Sequence, residues 1–220
     1  MSAVLKPRSV SQTSLAGFRE KITQRNIQYI TQIAKLARET DIGSASRMFR
    51  MPPSFVATFS TLDEVTIQKL ASISPLILGF DPKFRATEVA GLIGKTYTPV
   101  HNLELASNPH SGALRESHLA LARDYLVFVW QVVDKEMDRR EGSRLASTML
   151  NTRSDVAFAL SEVDISVVLA NPALAKHVMF ALTETVFQRH LDLLNHNQST
   201  TATELILRIN AISAYSRLTA

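Results

Sequence analysis

Residues Ala45–Ala57 read ASRMFRMPPSFVA, and Ala146–Ala157 read ASTMLNTRSDVA. Ala45, Ser46 and Met48 match Ala146, Ser147 and Met149. After a one-residue deletion, Ser54, Val56 and Ala57 match Ser154, Val156 and Ala157. A further two-residue deletion aligns Leu62-Asp63-Glu64-Val65-Thr66-Ile67 with Leu160-Ser161-Glu162-Val163-Asp164-Ile165. A long amphipathic segment precedes each copy. Apolar-rich helical sequences do coincide by chance, but the ordered second block and the matching upstream segments favour an internal duplication. Such a chain is expected to fold as a pseudo-dimer, imitating a symmetric pair within one polypeptide.

Working outward, Ile22, Ile27, Ile30, Ile33, Ala34, Leu36 and Ala37 form one apolar helical stripe. Gly43 is a natural stop for that helix. A short helix is expected from Ser44 to Met51, broken by Pro52-Pro53. Ser54 is placed to cap the next one. Asp63 is placed to cap a helix carrying Val65, Ile67 and Leu70, with Thr61 and Glu64 as a competing capping box. Residues 73–80 suit a short strand or an extended connection, and residues 84–92 a helix. The second long helix is expected from His118 to about Arg140, with Leu119, Ala122, Leu126, Val129, Trp130, Val133 and Met137 on its stripe. Ser161 is placed to cap a following helix, Asn171-Pro172 to start another through about Leu194, and the last is expected from about Thr203.

The fold expected is all-α, in two tandem halves. Residues 1–20 read as a flexible tail and 21–93 as the first half. Residues 94–116, with Gly94, Pro99, Asn108-Pro109 and Ser111-Gly112, read as a linker, and 117–220 as a degenerate second half. The run Tyr125–Trp130 is apolar almost all round, which suits a core or an oligomer interface.

Composition narrows the chemistry. The chain has 220 residues, no cysteine and a net charge of +4. The missing thiols exclude disulfides, thiolate zinc sites, iron–sulfur clusters and cysteine nucleophiles, and they fit a cytoplasmic protein. No apolar run is long enough to span a bilayer. His101, His110, His118, His177, His190 and His196 make no metal-ligand pair, and no nucleophile-elbow glycine frame occurs. Gly91-Leu92-Ile93-Gly94-Lys95-Thr96 ends like a phosphate loop, but Val89 stands where that motif needs glycine. Glu162 and Asp164, two apart, do not share a helix face. No enzyme, cofactor, metal or small-molecule substrate is expected.

The short helices around Arg47–Arg50 and Val65–Lys69 have the size of a helix-turn-helix unit. Arg47, Arg50, Lys69 and Arg85 are its candidate contacts to DNA or a partner. Solvated faces of packed helices are the competing explanation, and Arg50 is also placed to stabilise its own helix end. Arg115, Arg139, Arg140, Arg144 and Arg153 form a looser basic set in the second half.

The pattern Asn26-Ile27-Gln28-Tyr29, Leu36-Ala37, Ala45-Ser46-Arg47-Met48-Phe49-Arg50, Leu62 and Lys69-Leu70-Ala71 resembles the flagellar transcriptional regulator FlhD family over about 46 residues. The resemblance implies a small helical dimer that pairs with an FlhC subunit to activate transcription. FlhC supplies a cysteine zinc site and much of the DNA contact. Promoter DNA met through that complex, and homodimerisation, are therefore expected. The chain departs from the family in its doubled length and in Leu150 and Asn151, where the first copy has Phe49 and Arg50. A two-copy chain would either replace the FlhD dimer or act as an antagonist on the same partner surface.

Overall fold

The computed structural model describes residues 12–73, 75–93, 109–135, 147, 149–182, 187 and 191–192. Within these the chain is mostly helical. The elements are α1 (Gln12–Glu39), α2 (Ile42–Phe49), α3 (Pro53–Thr61), α4 (Glu64–Ile73), β1 (Leu78–Phe80), α5 (Ala86–Ile93), α6 (Pro109–Lys135), α7 (Ser154–Ser161), α8 (Ile165–Ala170), α9 (Pro172–Ala175) and β2 (Val178–Phe180).

Several boundaries differ from the sequence expectations for local physical reasons. α1 starts at Gln12, inside the stretch read as a tail. α6 starts at Pro109, inside the stretch read as a linker. Proline is preorganised for a first helical turn, so Pro109 marks a helix start rather than a break. Gly43 lies within α2, because Asp41 caps that helix by accepting from the Ser44 N–H at 2.8 Å. α3 begins at Pro53 without a side-chain cap, so Ser54 is its second residue. Asp63 does cap α4, accepting from the Thr66 N–H at 2.7 Å, while the Thr61 hydroxyl turns back to the Thr58 carbonyl. In the second half the cap is Asp164, not Ser161. Asp164 accepts from the Ser166 N–H at 2.7 Å, and the Ser161 hydroxyl donates to the Phe158 carbonyl. The helix begun at Pro172 stops at Ala175 and gives way to β2. The helix expected from Thr203, and Arg139, Arg140 and Arg144, lie outside the described residues.

The all-α expectation needs one addition. β1 and β2 pair antiparallel, with Leu78 opposite Phe180, Gly79 opposite Met179 and Phe80 opposite Val178. The Asp81 N–H donates to the His177 carbonyl and the Ala181 N–H to the Ile77 carbonyl, each at 2.8 Å. These two bonds are mirror partners about the Gly79–Met179 pair. Glycine at 79 is required by close approach: a Cβ there would lie 2.7 Å from the Asn151 Cβ, 2.9 Å from the Ala181 Cβ and against the Asn151 carbonyl oxygen.

The elements on either side of this sheet pack alike. α1 lies on α3 and α4, and α6 lies on α7 and α8. Arg50 and Asn151 both adopt the left-handed conformation, at φ 49° and 48°. Phe55, Val56 and Phe59 are buried on α3, and Val156, Ala157 and Leu160 on α7. The carbonyls of Leu62 and Val163 are each held from a long helix, by Arg38 at 3.2 Å and Trp130 at 2.9 Å respectively.

One hydrophobic core runs through both halves. α5 packs on α7. Phe55 and Phe59 of α3 meet Phe187 at ring distances of 4.5 and 5.1 Å and Phe180 at 5.7 and 5.6 Å. Each half is thus closed by the segment that follows the other half's position in the chain. The long helices are tied by Tyr29, whose hydroxyl donates to Asp124 at 2.6 Å. Arg25 lies 3.4 Å from the same carboxylate, with its guanidinium 3.8 Å from the Phe128 ring centroid.

Candidate interaction surface

Of the basic residues singled out in the first half, Arg47 and Arg50 sit at the end of α2, Arg85 before α5 and Lys69 on α4. Arg47 is exposed on α2 and donates to the Ser44 hydroxyl at 3.1 Å. One turn later, Arg50 follows the end of α2 and pairs with Asp81 at 2.8 Å. Arg85 is exposed just before α5, where its N–H donates to the Glu88 carboxylate at 2.6 Å. Asp81 joins these two regions, since its other oxygen accepts from the Lys83 N–H at 2.9 Å. Lys69 stands apart, exposed on α4, where its charge helps hold the Asp63 carboxyl below the usual range after the larger effect of Thr66 hydrogen bonding.

Sequence reasoning missed Lys83, Lys176 and His177. They join this region only through the β1–β2 pairing. The His177 carbonyl accepts from Asp81, and its ring stacks on Phe84 at 4.2 Å. Burial, and then the Arg50 charge, push the His177 imidazole below its ordinary value. Behind it, His118 is buried against Phe49 and donates from Nε2 to the Val178 carbonyl at 3.1 Å. Desolvation pushes its pKa down as well. A carbonyl only accepts, so this bond keeps the proton on Nε2.

A helix-turn-helix reads bases with side chains at the start of its second helix. α2 and α3 are joined by the short turn Arg50-Met51-Pro52, but α3, PSFVATFST, carries no charged side chain. Its Thr58, Ser60 and Thr61 hydroxyls donate to its own backbone. α4 opens on Asp63 and Glu64, which repel phosphate. Large apolar side chains are exposed at Ile42, Val65, Phe158 and Val167.

Among the described residues, no helix is long and apolar enough to cross a membrane, and no group of three or more His, Cys, Asp or Glu residues is arranged to hold a metal. No family model, curated protein or solved structure matches the chain.

Proposed function

We propose that this chain is an FlhD-like transcription regulator subunit in which one polypeptide takes the place of a symmetric dimer. In this reading it acts by binding an FlhC-like partner and meets promoter DNA through that complex. The observation that carries the reading is the antiparallel β1–β2 pairing about Gly79–Met179, with its mirrored flanking bonds. A self-complementary contact of this kind is what a two-fold-related pair makes, and the matched caps Asp63 and Asp164 extend the correspondence. The uncharged α3 argues against direct base reading by this chain.

Sequestration of the same partner is the second reading. It is favoured by the acidic start of α4, which opposes a phosphate backbone.

The test is co-expression with an FlhC-like protein encoded nearby, followed by promoter-DNA gel shifts. The expected result is co-purification, no shift by this chain alone at physiological salt, and a shift by the complex. If this chain abolishes the partner's own shift, the antagonist replaces the activator. A salt-steep shift by this chain alone, as phosphate contacts give, would overturn the subunit reading.

A further inference from the structure

We infer that the end of the sheet at Arg50 is a single docking site for an acidic segment of a partner protein, and that the opposite end has lost this role, so that one partner binds per chain. This deepens the interaction-subunit reading and rests on it. The site is composite. Arg50, Lys83 and Arg85 come from the first half of the chain, Lys176 and His177 from the second. Contacts link Arg50 to Asp81 at 2.8 Å, Asp81 to the Lys83 N–H at 2.9 Å, the Asp81 N–H to the His177 carbonyl at 2.8 Å, and His177 to Phe84 at 4.2 Å, with Arg85 next to Phe84 and Lys176 next to His177 in the chain. Arg50, Lys83, Arg85 and Lys176 are all exposed and outnumber Asp81 and Glu88. Arg50 is oriented before any partner arrives, which lowers the entropy lost on binding.

Among the described residues, the pseudo-equivalent end lacks these charges. Asn151 replaces Arg50 and is buried, with its amide donating to the Leu76 carbonyl. Ala181 replaces Asp81, and Leu76 and Ile77 stand where the first end has Lys176 and His177. Arg153, two residues after Asn151, pairs with Asp155 at 3.0 Å.

A protein partner fits this surface better than a nucleic acid. Asp81 and Glu88 are interleaved with the cations, and a continuous phosphate backbone would meet both as like charges. An acidic protein segment pairs its carboxylates with the cations and offers backbone N–H groups to Asp81 and Glu88.

The test uses the full chain, a fluorescein-labelled oligoglutamate peptide and a short DNA duplex of equal charge. Anisotropy and calorimetry are expected to give saturable peptide binding at one peptide per chain. The exposed pair Arg85→Glu/Lys176→Glu should weaken it at least about tenfold, as loss of complementary charge does. The pair Lys21→Glu/Lys35→Glu on α1, with the same change in net charge, should stay within about twofold. No saturable binding, two peptides per chain, equal loss in both variants or tighter binding of the duplex would each overturn the inference. If the FlhC-like partner co-purifies equally with wild type and R85E/K176E, the docking site fails while the subunit reading stands. If the peptide binds as expected and that partner does not co-purify, the reverse holds.

Discussion

Arg50 and Asn151 share one backbone conformation and use it in opposite directions. Both sit at positive φ, directly after a buried Phe49 or Leu150. Arg50 turns outward to Asp81. Asn151 turns inward to the Leu76 carbonyl, while its own carbonyl accepts from the Phe80 N–H at 3.1 Å. Left-handed backbone costs an ordinary side chain about 1–2 kcal/mol, and Asn less. Arg50→Gly is therefore expected to be close to neutral, since relief of that strain offsets loss of a half-exposed ion pair worth about 0–1 kcal/mol. Asn151→Ala leaves the Leu76 carbonyl without the amide and adds strain, so a loss of about 2–4 kcal/mol is expected. Chemical denaturation of the two variants checks the contrast.

Gly79→Ala places a methyl against the Asn151 backbone and the Ala181 Cβ. Backbone on one side cannot yield as a flexible side chain would. The expected cost is about 1–3 kcal/mol, read as a lower thermal midpoint with the helical circular-dichroism signal retained at low temperature. A midpoint unchanged from wild type would show that the β1–β2 contact is looser than described.

The caps give a paired test. Asp63→Ala and Asp164→Ala each remove a carboxylate that accepts from the first turn of a helix. Both should lower the thermal midpoint, and both losses should shrink in acid. Thr66 and Ser166 hydrogen bonds hold these carboxyls below the usual range, so their contribution is present above the ordinary Asp value near 3.9 and disappears as pH falls through the lower folded value.

Histidine protonation should destabilise the fold. Burial holds His118 below its ordinary value, and His177 moves the same way. The unfolded chain then takes up protons first as pH falls below about 6.5, and stability declines until the folded pKa is passed. The midpoint is expected to fall between pH 7.5 and 5.5. His118→Gln, which keeps a donor for Val178 but does not titrate, should flatten the profile.

Tyr29→Phe removes the hydroxyl that donates to Asp124 between the long helices. A hydrogen bond to a charged acceptor contributes about 1.5–3 kcal/mol. A double-mutant cycle with Arg25→Met, which keeps the aliphatic stem over Phe128, should show coupling, because both groups address one carboxylate.

The long helices were readable because their stripes recur every three to four residues: Ile30 and Ile33 in α1, Leu126 and Val129 in α6, all buried. The echo between the two stretches was visible, but the structural register between them was not. Identities at Ser54/Ser154 and Leu62/Leu160 suggested deletions, whereas Arg50/Asn151 and Asp63/Asp164 match without one. What the two segments share is where bulk is buried and where the backbone turns. Phe55 and Val156 do the same work without sharing a letter. β1 lies inside residues 73–80, which suited a short strand or an extended connection, but β2 and the pairing were beyond sequence reasoning for another reason. Each strand is three residues long, and its partner lies far along the chain. Lys176 and His177 could not be linked to Arg50 until that pairing was known.

The sheet also sets a timetable for synthesis. At roughly 5–20 residues per second, the roughly 100 residues separating β1 from β2 take on the order of 5–20 s to be made. During that interval the nascent first half has an unpaired strand edge, and Phe55 and Phe59 lack Phe180 and Phe187. Cooperative closure waits for the far end of the chain, so ribosome pausing late in the message, or truncation there, leaves the early half sticky rather than merely incomplete.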